Sequence, residues 1–96
     1  MRLKEKVAVV TGASSGIGAG IAKAFGAEGA IVVVNYATGK DGADAVVASI
    51  EAAGGKAVAV QADMSRSADV IRLFDRVAAD YGKVDVLVNN AGVAVF

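Results

Sequence analysis

The sequence predicts an α/β fold, a parallel sheet wound on both faces by helices. Three observations carry this reading. Short β-branched runs alternate along the chain with stretches of helical periodicity. The connections between them are short, with no linker, repeat or low-complexity segment. The hydrophobic share is 55% while aromatics supply only 5%, so the core must come from Val, Ile, Ala and Leu. Such a core suits buried parallel strands under Ala-rich helices better than it suits a β-sandwich.

Val7 to Thr11 is the first β-branched run, ending at Gly12. Ile17, Ile21, Ala24 and Phe25 then recur at helical spacing, and Gly29 closes that helix. Ile31 to Val34 is the second strand. Asp41 is placed to cap a second helix with Val46, Ile50 and Ala53 on its apolar face, stopped by Gly54 and Gly55. Ala57 to Gln61 is the third strand. Ser65 or Ser67 can cap a third helix, whose stripe is Val70, Phe74, Val77, Ala78 and Tyr81, with Gly82 behind it. Val84 to Asn89 is the fourth strand.

The order is therefore β-α-β-α-β-α-β, which implies parallel strands joined by right-handed crossovers. In a Rossmann-type doubly wound sheet the strand order is 3-2-1-4. Residues 1–96 are expected to form one such half-domain, truncated after strand four, since 96 residues leave little room for a second core.

Composition excludes several kinds of chemistry. Ten basic and ten acidic residues cancel without forming runs, so no nucleic-acid footprint is visible. Cysteine and histidine are absent, which removes disulfides, Cys/His zinc sites and His-dependent nucleophile triads. Lack of cysteine fits a reducing cytoplasm. The charged start, Met1 to Lys6, and the short run behind it suggest neither a signal peptide nor a membrane span.

The most informative stretch is Thr11-Gly12-Ala13-Ser14-Ser15-Gly16-Ile17-Gly18, where the first strand passes into the first helix. A helix N-terminus exposes unpaired N–H groups and the positive end of its dipole, and both attract phosphate. Glycines let backbone approach a pyrophosphate and let the helix pack on the sheet. Ser14 and Ser15 add hydroxyls at the same place. A tight turn that binds nothing would also use glycine, but its position after strand one favours phosphate binding. The spacing is G-x-x-x-G-x-G rather than G-x-G-x-x-G.

That loop resembles the cofactor loop of the short-chain dehydrogenase/reductase family. Asn89-Asn90-Ala91-Gly92 after strand four resembles a second family motif, and Asp63-Met64 after strand three matches its adenine-pocket position. The resemblance spans nearly the whole chain. It implies that Gly12, Ser14, Ser15, Gly16, Ile17 and Gly18 surround the pyrophosphate and adjoining ribose. Asp63 would accept a hydrogen bond from the adenine amino group, with Met64 giving a backbone contact. The alternative for Asp63 is a turn or capping role, because Ser65 and Ser67 follow closely. Asn90, Ala91 and Gly92 would line the ribose, whereas Asn89 would tie strands together through its amide.

The cofactor choice turns on the end of strand two. An NAD site places a carboxylate there, roughly 20 residues after the glycine loop. This chain has Asn35, Tyr36, Ala37 and Thr38, then Gly39 and Lys40, with no carboxylate before Asp41. Amides, hydroxyls and Lys40 would welcome a ribose phosphate, so NADP is expected over NAD.

Family members of this kind are oxidoreductases of carbonyl/alcohol substrates, among them 3-oxoacyl-carrier-protein reductases and sugar dehydrogenases. Their Tyr-x-x-x-Lys pair, Ser and further Asn lie beyond strand four. Tyr36 and Tyr81 are not in that arrangement, so no catalytic residue is assigned and residues 1–96 alone are expected to be inactive. A non-catalytic dinucleotide-binding module and an inert assembly fragment are the alternatives. The apolar Val86, Leu87 and Val88 on an open sheet edge point to pairing with a second copy or to aggregation.

Overall fold

A parallel strand covered on both faces has to be apolar at nearly every position. β1 (Val7–Val10) and β2 (Ile31–Tyr36) meet that requirement and take the interior of the sheet. The computed structural model describes residues 3–90. Within them the sheet is parallel with order β3-β2-β1-β4, where β3 (Lys56–Gln61) and β4 (Val86–Val88) form the edges. The expected fold class and strand order are therefore observed.

Side chains alternate along each strand, so the two interior strands build two cores. Ala8, Val10, Val32 and Val34 face one side, where Ala22, Ala43, Val46 and Ile50 of helices α1 (Gly16–Ala27) and α2 (Lys40–Ala52) cover them. Val7, Val9 and Val33 face the other side, where Leu73 and Val77 of α3 (Ser67–Tyr81) cover them together with Val60 and Ala62. The chain changes face at α3 because it crosses from β3 back past β2 and β1 to β4. That reversal opens a crevice at the carboxyl ends of β1 and β4.

Three helix details differ from the sequence reading. The buried residues of α1 are Gly18, Ala22 and Gly26. Ile17 is 76% exposed, Ala24 is exposed, and Ile21 and Phe25 are only partly buried. Small residues let this helix lie closer to the sheet and to α2 than a stripe of long side chains would. In α3 the central buried residue is Leu73, and Ala78 is exposed. Tyr81 packs against the second core as expected.

None of the proposed side-chain caps forms. The N-cap of α2 is Gly39, and Asp41 sits in the first turn; Arg66 occupies the cap position of α3, and Ser67 is already helical. Ser65 is engaged by Asp63 instead.

β4 is shorter than expected because Asp85 takes over its first pairing. The Asp85 N–H donates to the Val7 carbonyl at 2.9 Å, and the Asp85 carboxylate accepts the Val7 N–H at 2.8 Å. Val7 chiefly, with Lys83 beside it, holds this carboxyl below its ordinary range. Leu87 at the β4 edge is 51% exposed. No helix among the described residues is long and apolar enough to cross a membrane.

Candidate dinucleotide-binding site

Directly after β1, the buried Thr11 stands at the foot of the glycine loop. The Thr11 hydroxyl lies 3.3 Å from both the Val88 carbonyl and Asn89 Oδ1, either of which it can donate to. It accepts the Asn90 N–H at 2.8 Å. One buried hydroxyl thus joins the ends of β1 and β4. Asn89, expected to tie strands through a buried amide, is exposed and contributes only its Oδ1 as one of the two acceptors open to the Thr11 hydroxyl.

Asn90 differs in part from its expected role. Its Nδ2 donates to the Gly12 carbonyl at 3.1 Å, so this amide holds the loop itself. Gly18 lies in the same knot. A Cβ at Gly18 would collide with the Gly12 carbonyl and stand 2.5 Å from Asn90 Nδ2. Only glycine lets α1 start this close to β1. The loop turns through Gly12 and Gly16, with φ of +61° and +60°, a region that side chains disfavour.

Asn35 is the clearest correction. Read from the sequence as a cofactor contact, it is 1% exposed and turned inward. Its Nδ2 donates to the Val60 and Ala62 carbonyls at 3.2 and 3.1 Å, and its Oδ1 accepts the Gly12 N–H at 3.3 Å. A buried amide must find such partners, and the nearby carbonyls at the end of β3 supply them. Tyr36 is half-buried, whereas Ala37 and Thr38 are exposed at the mouth of the crevice.

What remains open at the loop is the start of α1. Ser15, its N-cap, is exposed and extended, and its hydroxyl makes no capping bond. The first helical bond runs from the Ala19 N–H to the Ser15 carbonyl. The N–H groups of Gly16, Ile17 and Gly18 therefore have no acceptor within the helix. No acidic residue stands in this first turn.

α2 also begins here, and the sequence reading missed its closeness. A Cβ at Gly42 would strike the Ser14 carbonyl, so the first turn of α2 is pressed against the loop. A glycine in the first turn of an otherwise regular helix was the available signal. Lys40 is paired with Asp44 at 2.6 Å on the exposed surface, which raises the pKa of Lys40, and so does not stand alone.

Asp63 forms the turn that was its alternative reading. Its Oδ1 accepts both the Ser65 hydroxyl at 2.6 Å and the Ser65 N–H at 2.9 Å, which hold the carboxyl below its ordinary range. Met64 packs against the second core. Ala91 and Gly92 lie outside the described residues. No cluster able to hold a metal ion occurs among the described residues. A groove of about 250 Å³ does occur, but at the amino ends of the strands, between Lys4, Gly29 and Gly54. The glycine loop is at the opposite end, where ligands of open α/β sheets bind.

A model of the short chain dehydrogenase family matches residues 6–96. The chain belongs to that family. It is 60% identical over 95 residues to an uncharacterized oxidoreductase of Methylorubrum extorquens, covering 99% of this chain and 38% of that protein. It is 53% identical over 93 residues to 3beta-hydroxysteroid dehydrogenase 1 of Eggerthella lenta, covering 97% of this chain and 36% of that one. The crystal structure of a short chain dehydrogenase from Burkholderia cenocepacia J2315 in complex with NADP superposes with a TM-score of 0.91 at 50% identity. That superposition covers 97% of this chain and 38% of the other. The chain thus spans little more than a third of the length of these short chain dehydrogenases.

Proposed function

We propose that this chain holds NADP(H) at the start of α1 and serves as the cofactor-binding part of an oxidoreductase acting on carbonyl or alcohol groups. The observation that carries the reading is the α1 N-terminus. Its N–H groups lack helical acceptors, its cap hydroxyl makes no capping bond, and no carboxylate shares its first turn. A pyrophosphate supplies the missing acceptors and the missing negative charge.

In this reading Gly12, Ser14, Ser15, Gly16, Ile17 and Gly18 hold the pyrophosphate and adjoining ribose. The exposed Ile17 side chain offers an apolar wall beside them. Asp63 keeps Oδ1 for Ser65, and its second oxygen takes the adenine amino group, next to Met64. Asn90, Ala91 and Gly92 border the ribose. When bound, the nicotinamide would supply or accept hydride. The groups that move a proton on the substrate belong to the protein beyond strand four.

NADP over NAD rests on the end of β2. Tyr36, Ala37, Thr38 and Gly39 bring no carboxylate. The first bond of α2 runs from the Ala43 N–H to the Gly39 carbonyl, so its leading N–H groups also lack helical acceptors. Lys40 can serve a ribose phosphate by exchanging Asp44 for it. The complex of the Burkholderia relative with NADP agrees with this preference. Calorimetric titration with NADPH and NADH separates the possibilities. Tighter binding of NADPH, by about tenfold or more for one charge-assisted contact set, is expected. Equal affinities would remove the NADP preference, and no binding by a folded chain would remove the site.

A further inference from the structure

Among the described residues two polar side chains are fully buried, Thr11 and Asn35. Asn35 follows Val32, Val33 and Val34 in an interior strand, where another valine would fill space without any polar requirement. An amide there is costly unless all its groups are bonded. They are bonded. Both Nδ2 protons go to the carbonyls of Val60 and Ala62, and Oδ1 takes the Gly12 N–H. The amide has one workable orientation, because a flip would set oxygen against two carbonyls and NH2 against the Gly12 N–H. The Asn35 main-chain carbonyl also accepts the Ala13 N–H at 2.8 Å. Gly12 and Ala13 of the glycine loop therefore both hang on Asn35, one by its side chain and one by its backbone.

We propose that Asn35 is a positioning residue for the glycine loop. It locks Gly12 and Ala13 to the ends of β2 and β3 and so sets dinucleotide affinity without touching the dinucleotide. On the other side, Gly42 backs the Ser14 carbonyl, so the loop is gripped from two directions by the β2–α2 segment. This role rests on the loop's being a dinucleotide site.

Asn35→Asp keeps the size but sets an oxygen against the Val60 and Ala62 carbonyls, a repulsion that turns the side chain away from its post and takes the acceptor from the Gly12 N–H. Val33→Ala is the control, because Val33 is equally buried in β2 but packs in the core beneath α3. Both variants and the parent chain are titrated with NADPH well below their melting temperatures. Exchange of the Gly12 and Ala13 amides is followed by NMR without nucleotide. Asn35→Asp is expected to bind NADPH about tenfold or more weakly and to exchange Gly12 faster. Val33→Ala is expected to melt earlier yet match the parent in both readouts. A folded Asn35→Asp with parental affinity or parental Gly12 exchange overturns the proposal, and so does equal weakening by Val33→Ala. If Asn35→Asp does not fold, Asn35→Ser is judged by the same criteria. A parent chain that binds no NADPH defeats the dinucleotide reading and with it the affinity role. The Gly12 exchange then decides the anchoring alone.

Discussion

α1 and α3 start in opposite ways, although each follows the carboxyl end of a strand of the same parallel sheet. The first turn of α3 contains Asp69, whose carboxylate accepts the Asp63 N–H at 2.8 Å. That N-terminus brings its own anion. The first turn of α1 contains none, and its Ser15 hydroxyl does not cap. A helix dipole gains about 0.3–1 kcal/mol from a nearby negative charge, so α1 forgoes stability that α3 takes. A helix start left unsatisfied at the carboxyl end of a central strand is the local cost of keeping an anion site open. α2 resembles α3 in carrying an acid, Asp41, in its first turn, and neither helix has a side-chain capping bond.

The largest loss is expected at Gly18. Gly18→Ala sets a methyl against Gly12 and Asn90, an overpacking that costs about 1–3 kcal/mol of stability. Because the strain falls on the loop, NADPH affinity should fall by about a hundredfold, as read by calorimetry beside a thermal melt. Parental affinity in this variant would mean that the close approach is dispensable.

Ser15→Asp makes α1 resemble α3. A carboxylate at the cap should raise stability by about 0.3–1 kcal/mol. The same carboxylate should repel the pyrophosphate and weaken NADPH binding by about tenfold or more. Opposite signs in one variant are the signature of a reserved site. A variant that gains both would show that phosphate binds elsewhere.

Asp69→Ala does the converse on α3. It should cost about 1 kcal/mol through the lost bond to Asp63, measured by chemical denaturation. NADPH affinity should fall far less than in Ser15→Asp, because Asp69 reaches the cofactor site only through Asp63.

The smallest effect concerns pH. Asp85 is held below its ordinary range by the Val7 N–H and then by Lys83. A carboxyl with a lowered folded-state pKa stabilises fully above the unfolded value of about 3.9 and stops doing so as pH falls through the folded value. Asp85→Asn should therefore flatten the acid side of the melting-temperature profile. An unchanged acid limb would assign that loss to other carboxylates.

The strands and their order were legible because buried parallel strands leave unbroken β-branched runs, and glycine marks every change of element except the passage from β3 to α3. Much of the loop was legible for the same reason, since Thr11 to Gly18 is contiguous in sequence. What escaped depends on approach distance. Periodicity favours long side chains, so Ile17 and Phe25 stood out in α1 while Gly18, Ala22 and Gly26 carry its contact face. Asp41, Ser65 and Ser67 have capping chemistry, but capping needs a backbone angle that composition does not reveal. Asn35 could have been placed by parity, since alternate residues share a face and Val33 is a core residue. Its bonding partners lie 23 to 27 residues away, and local sequence cannot name them.

An NMR titration of the isotope-labelled chain with NADPH addresses the α1 site most directly. The largest amide shifts should fall on Gly12 and on Gly16, Ile17 and Gly18, while Ala68, Asp69 and Val70 at the start of α3 stay in place. Shifts centred on α3, or on the groove between Lys4 and Gly54, would contradict a phosphate site at α1.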